Sequence, residues 1–288
     1  MLNQEQKNFL VQWICFVLFF LPIVYLGSIA AVTIHEVVGH GVVAALLGGD
    51  FLGFGILIDA MGWARVDIAD ISPFKQAIVL AGGTLLTNLC SIFFLVLGIR
   101  LKKSPLSSVA LLTIAFTFLC DGLPYYFWDA LFHGGIGDAS GILGLYPYIW
   151  LRILMIVLSG VATVVTILLL NHILLNSVYS FLGTKGKSHR YEFIMIACTL
   201  FVIQTLTWLS FDWTQLIPVP EIGLWPSVIP VVMTIVYIGA RIALFERRKP
   251  PVPADRPVRF KAAIIGAWAL CLVTIVVILL FLQNGFAL

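Results

Sequence analysis

Seven apolar runs, each close to the length that crosses a bilayer, constrain this chain more than any other feature. A helical span needs about 20 mostly apolar residues. Residues 9–34, 74–99, 107–132, 148–171, 193–210, 227–245 and 262–282 supply such stretches. Of the 288 residues, 61% are hydrophobic and 11% are charged, against roughly 25% charged in a soluble domain. No soluble core hides that much apolar surface. The expected fold is therefore an all-α polytopic membrane protein of about seven transmembrane helices, forming one integral membrane domain over residues 1–288. The first run is ambiguous, because helical character continues to Gly48-Gly49. A straight helix over residues 9–47 would be about 58 Å long. That length predicts a kink or break near Pro22 or Gly27-Ser28, or a helix projecting from the membrane; a split into two spans would make eight. Ser28-Ile29-Ala30 resembles a cleavage site, but the preceding run is long for a signal peptide and is read as a retained span.

The basic residues fall in alternate loops. Arg100, Lys102 and Lys103 follow the second run; Lys185, Lys187 and Arg190 follow the fourth; six more lie between the sixth and seventh, from Arg247 to Lys261. The loops at 133–147 and 211–226 contain no Lys or Arg. The positive-inside rule makes the basic loops cytoplasmic and points to a multi-pass protein of the cell (inner) membrane. A net charge of +3 distributed in this way is a topology signal rather than a nucleic-acid footprint, so the expected partners are the bilayer and a substrate within it. Cys15, Cys90, Cys120, Cys198 and Cys271 form no C-x-x-C pair and read as small core residues.

Between Asp50 and Ile71 the pattern changes. Phe51 to Ile58 and Trp63 to Ile68 alternate partially about Ala60-Met61-Gly62, which predicts a small β-hairpin after the first helix. Its edges need burial in protein or a place at the interface.

Just before this hairpin lies His35-Glu36-Val37-Val38-Gly39-His40. Two histidines flanking a glutamate supply two neutral nitrogen ligands and a base for a water activated by a metal. Ionisable groups in an apolar setting are costly without a use, although helix-packing residues with satisfied hydrogen bonds are the plainer alternative. Residues five apart on a regular α-helix are offset by about 140°, so His35 and His40 do not share a face of one. A π-bulge absorbs one extra residue, and Gly39 is a natural place for it. With the bulge both histidines reach one metal and Glu36 stands free as the base, which is the preferred arrangement. Without it, Glu36 and His40 pair at i,i+4 and Glu36 becomes a ligand.

Zinc needs at least a third protein ligand and an open position. His189 lies in a basic loop and His172 beside Asn171 near a helix end, so neither is favoured. The stretch from Asp121-Gly122-Leu123-Pro124 to Gly137-Asp138-Ala139 holds Asp121, Asp129, His133 and Asp138 with no basic residue. On the seven-span topology the first and third runs end on the same side of the membrane. The His35 motif and this loop are thus neighbours in depth.

His35-Glu36-Val37-Val38-Gly39-His40-Gly41, followed by Ala44-Ala45-Leu46-Leu47-Gly48-Gly49, resembles the start of the site-2 protease-like intramembrane zinc metallopeptidases. In that family H-E-x-x-H-A leads into a small-residue helix, a Gly-Gly turn and a membrane-associated β-segment. Asp121-Gly122-Leu123-Pro124 and Gly137-Asp138-Ala139 loosely echo its second signature, N-x-x-P followed by L-D-G. Ala81-Gly82-Gly83, with Asn88 displaced, echoes its A-G-P-x-x-N element. The present chain differs in having three residues between Glu36 and His40. The resemblance implies zinc bound by His35, His40 and Asp138, with Glu36 the general base. Asp129 is the alternative third ligand, and Asn88 is a candidate to bind the substrate backbone or oxyanion. The resemblance covers residues 1–147, a metallopeptidase-like core; residues 148–288 read as additional transmembrane helices of unassigned role. The implied activity is cleavage of peptide bonds of a membrane protein in or next to the bilayer. A zinc-dependent lipid or amphiphile hydrolase, and a non-catalytic scaffold or transporter with a structural metal site, are the rival expectations.

Overall fold

The computed structural model describes residues 4–101, 103–132, 137–182, 192–200, 202 and 260–287. Among them are five helices long and apolar enough to cross a membrane: Gln6–Leu47, Pro73–Arg100, Pro105–Phe132, Ile149–Tyr179 and Lys261–Leu282. They correspond to the first four expected runs and the last. The run at 227–245 lies outside the described residues, and of the run at 193–210 only residues 193–200 and 202 are described.

The first helix does not break where the sequence suggested. Helix α1 (Gln4–Thr33) stays helical through Pro22 and through Gly27-Ser28. Gly27 is a packing position rather than a hinge: a Cβ there would stand 2.5 Å from the Thr117 hydroxyl on the neighbouring helix. The interruption comes later, as a π-helical segment over Ile34–Val42, after which α2 (Val43–Leu47) ends the rod. At 1.5 Å per residue the 42 residues of Gln6–Leu47 reach about 63 Å, against a hydrocarbon core of about 30 Å. The rod is therefore about twice as long as a hydrocarbon core is thick. It stops at Gly48, whose φ of 95° is the left-handed conformation that ends helices, with Gly49 N–H returning to the Ala44 carbonyl at 3.0 Å.

The hairpin is present as β1 (Asp50–Ile56) and β2 (Gly62–Asp67), antiparallel, with Phe54 opposite Ala64 and Gly55 opposite Trp63. A bulge between Phe51 and Gly53 shifts its register. A third strand, β3 (Phe286–Ala287), arrives from the far end of the chain and pairs antiparallel with β1, giving the order β2-β1-β3. Nothing in the sequence announced it, since two residues carry no period.

Helices α3 (Pro73–Arg100) and α4 (Pro105–Cys120) both start on a proline, which is pre-set for the first helical position. Apart from Val79, the buried face of α3 is made of small residues: Gly82, Gly83, Thr84, Thr87, Ser91 and Gly98. Apolar side chains gain little by leaving lipid for one another, so close backbone approach and interhelical hydrogen bonds hold such helices together. Ser91 Oγ donates to the Ala115 carbonyl at 2.7 Å, and Ser108 Oγ to the Gly98 carbonyl at 2.8 Å. The opposite face of α3, with Leu85, Leu89, Ile92 and Phe93, is exposed. After Cys120 the third span breaks at Asp121-Gly122 and resumes as α5 (Leu123–Phe132). The short α6 (Asp138–Leu145) leads to the long α7 (Ile149–Leu182), and α8 (Lys261–Val277) closes the set.

Two apolar clusters fix the frame around the site. Phe9, Phe16 and Phe20 of α1 pack with Leu112 of α4 and Leu174, Leu175 and Tyr179 of α7. Ile29 and Val32 of α1 meet Ile56 of β1 and Ile278 just past α8. The second contact pins the sheet to the far end of the first span, so the C-terminal half of the chain shares in building the hairpin.

Candidate metal centre

The extra residue between the histidines is accommodated by a wide helical turn. Ile34–Val42 is π-helical, the i→i+5 geometry in which residues five apart stack on one face. The His35 and His40 rings lie 4.9 Å apart between centroids, as the π-bulge arrangement requires. The glycines allow it. A Cβ on Gly39 would overlap the backbone of Gly83, and one on Gly82 would overlap the Gly39 carbonyl. Backbone therefore meets backbone where the π-segment crosses α3.

Each imidazole has one nitrogen committed and one presented. His40 Nδ1 donates to the Val79 carbonyl at 2.9 Å. His35 Nδ1 lies 3.1 Å from Asp121 Oδ2, without the alignment of a full hydrogen bond, so the contact is chiefly electrostatic. Tyr125 stands edge-on to the His35 ring at 5.8 Å. Such partners fix ring orientation and leave Nε2 as the ligand atom.

Both Nε2 atoms converge on one carboxylate. His35 Nε2 is 3.2 Å from Asp138 Oδ2, and His40 Nε2 is 3.2 Å from Asp138 Oδ1. One ligand atom from each of the three residues can be chosen within 4.8 Å of the others, and all three residues are buried. Ligands about 2.0–2.1 Å from a tetrahedral zinc stand about 3.3 Å from one another; here each Nε2 stands 3.2 Å from its own Asp138 oxygen. Two imidazoles and one carboxylate are a zinc donor set with a position to spare. Space for an ion is also kept open: a Cβ on Gly83 would overlap His35 Nε2 and stand 2.7 Å from His40 Nε2. Burial alone would raise the Asp138 carboxyl, but the facing His40 and His35 hold it well below the ordinary carboxylate range. The Thr84 hydroxyl adds a donor to Oδ2 at 3.4 Å.

The group opens onto a cavity of about 360 Å³ lined by Glu36, Asp121, Tyr125 and the β2 residues Gly62, Trp63, Ala64 and Val66, together with the three putting their ligand atoms forward. Gly62 presses on Glu36, whose Cγ would be 3.2 Å from a Cβ there.

The other expected residues fall elsewhere. Asp129 does not join the histidines, because its carboxylate accepts the Ser140 amide at 2.8 Å and the Ser140 hydroxyl at 2.5 Å. Asn88 does not line the cavity; its Nδ2 donates to the Thr84 carbonyl on its own helix at 2.6 Å, and its side chain packs on Gly122. His133 and His189 lie outside the described residues. His172 meets Asn176 on α7 at 3.0 Å. Arg152 donates to the carbonyls of Ala130 and Leu131 at 3.0 and 2.6 Å. The sequence placed Asp121 only among the acids near the third ligand and Gly83 only in a loose motif echo, and it gave no role to Thr84. The rule that a ligating histidine needs a partner on its second nitrogen would have singled out Asp121.

Set against protein-family models, curated proteins and solved structures, the chain matches none.

Proposed function

We propose that this chain is a membrane-embedded zinc-dependent hydrolase, an intramembrane metalloprotease that cleaves peptide bonds in or next to the bilayer. The observation that carries the reading is the meeting of His35 Nε2, His40 Nε2 and the Asp138 carboxylate beside a side-chain-free Gly83. The zinc-protease-like motif of the sequence supports it, as do five apolar helices of spanning length. His35, His40 and Asp138 would hold the zinc, which when bound would supply a Lewis acid and a more acidic water. Glu36, next to His35 and on the cavity wall, is the general base: it would take a proton from the attacking water and give it to the leaving amine. Asp121 and the Val79 carbonyl keep the two rings turned with Nε2 inward. Tyr125, Val32 and Leu80 close the cavity with apolar surface.

A peptide is favoured over a lipid by the wall opposite the ligands. In the order β2-β1-β3 the outer edge of β2 has no strand partner among the described residues, and this strand lines the cavity. An unwound substrate segment adds there as a strand, exposing carbonyls that an intact helix shields. The site then faces or is reached from the non-cytoplasmic side of the cell membrane, with the basic loops inside.

The test is zinc content and peptide-bond cleavage of purified protein. His35→Ala, His40→Ala and Asp138→Ala lose stoichiometric zinc, whereas Glu36→Gln keeps it and loses roughly 10²–10⁴-fold in turnover. Wild-type protein without zinc, prepared without chelators, sinks the enzyme reading. Unchanged cellular function in Glu36→Gln favours a scaffold instead.

A further inference from the structure

The third ligand rides on a weak support. Helix α6 has eight residues, begins with Asp138 itself, and receives no cap from the side chain of Gly137 before it. Its first N–H groups are orphans, and a helix this short has little stability of its own.

A cap arrives from another helix. Asp129 of α5, buried with 4% exposure, reaches the third residue of α6, where helix-capping carboxylates bind. Its Oδ2 accepts the Ser140 amide at 2.8 Å and its Oδ1 the Ser140 hydroxyl at 2.5 Å. The negative charge also meets the positive end of the helix dipole. Gly137 is flush with this carboxylate, since a Cβ there would overlap it. The far end of α5 is held in turn: Arg152 of α7 donates to the Ala130 and Leu131 carbonyls, the two that follow Asp129. Arg152 thus holds the α5 backbone just after Asp129, and Asp129 holds Ser140, two residues from Asp138.

We propose that these three are positioning residues that set metal affinity by fixing the Asp138 carboxylate against His35 and His40, without themselves touching the metal. The proposal rests on the metal-site reading above. It also gives Asp129, an acid on a buried helix face, a use that does not compete with Asp138.

Cobalt(II) titration of the full-length chain in detergent tests it, with affinity and the visible d–d spectrum as readouts. Asp129→Ala weakens cobalt binding about 10- to 100-fold, as loss of ligand-orienting partners does, and changes the d–d spectrum while helix content by circular dichroism stays the same. Asp129→Asn, which keeps an acceptor for the Ser140 amide, recovers most of the affinity. Wild-type affinity and spectrum in Asp129→Ala overturn the clamp. So does loss of binding in Asp129→Asn as complete as in Asp129→Ala, with binding kept in Asp138→Ala, because Asp129 is then the ligand. Should Asp129→Ala not fold, Ser140→Ala and Arg152→Gln decide: several-fold weaker binding supports the clamp, and unchanged binding in both overturns it. A wild-type chain that takes up no cobalt or zinc removes the metal-site reading itself, and the clamp with it. A wild type that binds beside variants that match it removes the clamp alone.

Discussion

Gly83 stands where a methyl group would compete with the proposed metal ion. Its missing Cβ would overlap His35 Nε2 and approach His40 Nε2 to 2.7 Å, so Gly83→Ala is expected to cut zinc occupancy to under about a tenth of wild type, by filling the volume between ligands spaced for a zinc ion. Alanine is the better helix former by up to about 1 kcal/mol, so weakened helix structure does not account for the loss. Gly144→Ala is the matched control, since nothing lies within 4 Å of a Cβ there. Full zinc stoichiometry in Gly83→Ala, measured by atomic absorption, would show that the ion does not sit against this glycine. The pair Gly82-Gly83 is visible in the sequence, but nothing in it marks Gly83 as abutting the ligands. Which small residue abuts a ligand depends on how two helices cross, and no spacing along α3 contains that information.

The π-helical segment was legible because it follows from a local count. Five residues from His35 to His40 cannot share an α-helical face, and a glycine between them marks where the turn widens. The hairpin was legible for a similar reason, in its alternation and glycine punctuation. The break at Asp121-Gly122 and the cap on α6 were not, since both are set by contacts between helices distant in sequence. A π-bulge created by one extra residue leaves the helix before and after it in register. Deleting Val38 is therefore expected to convert Ile34–Val42 to a regular α-helix with the histidines four apart, still on one face. Zinc should remain bound at one per chain, with affinity lowered by no more than the roughly 10- to 100-fold lost when only outer partners are disturbed. Loss of zinc from the deletion variant, with helix content intact, would mean that the wide turn itself sets the ligand geometry.

At the scale of the whole molecule, the first and last parts of the chain meet at the hairpin. The sequence divided the protein into a core over residues 1–147 and an appended remainder, because the recognisable motifs stop at Asp138. Physical contacts do not follow that division. Ile278, beyond α8, packs with Val32 and Ile56, and β3 pairs Ala287 and Phe286 with Gly53 and Phe54 of β1. Trp63, on the cavity wall, lies across Gly55 and reaches Gly285, whose Cβ would stand 2.6 Å from its ring. The end of the chain thus steadies the back of the sheet whose front edge the substrate is proposed to join. Removing residues 283–288 leaves the ligand residues and α3 untouched, so zinc stoichiometry should hold. The hairpin, by contrast, loses two cross-strand pairings worth about 1 kcal/mol each. Local opening governed by that stability should make β1 amides exchange roughly 10- to 30-fold faster. Cleavage of a membrane-spanning peptide should fall with it, chiefly through KM, since strand addition needs an ordered edge. Hydrogen exchange read residue by residue separates the outcomes: unchanged protection in β1 after truncation would leave β3 a passive neighbour, whereas faster exchange with lost zinc would tie the sheet to the metal centre as well.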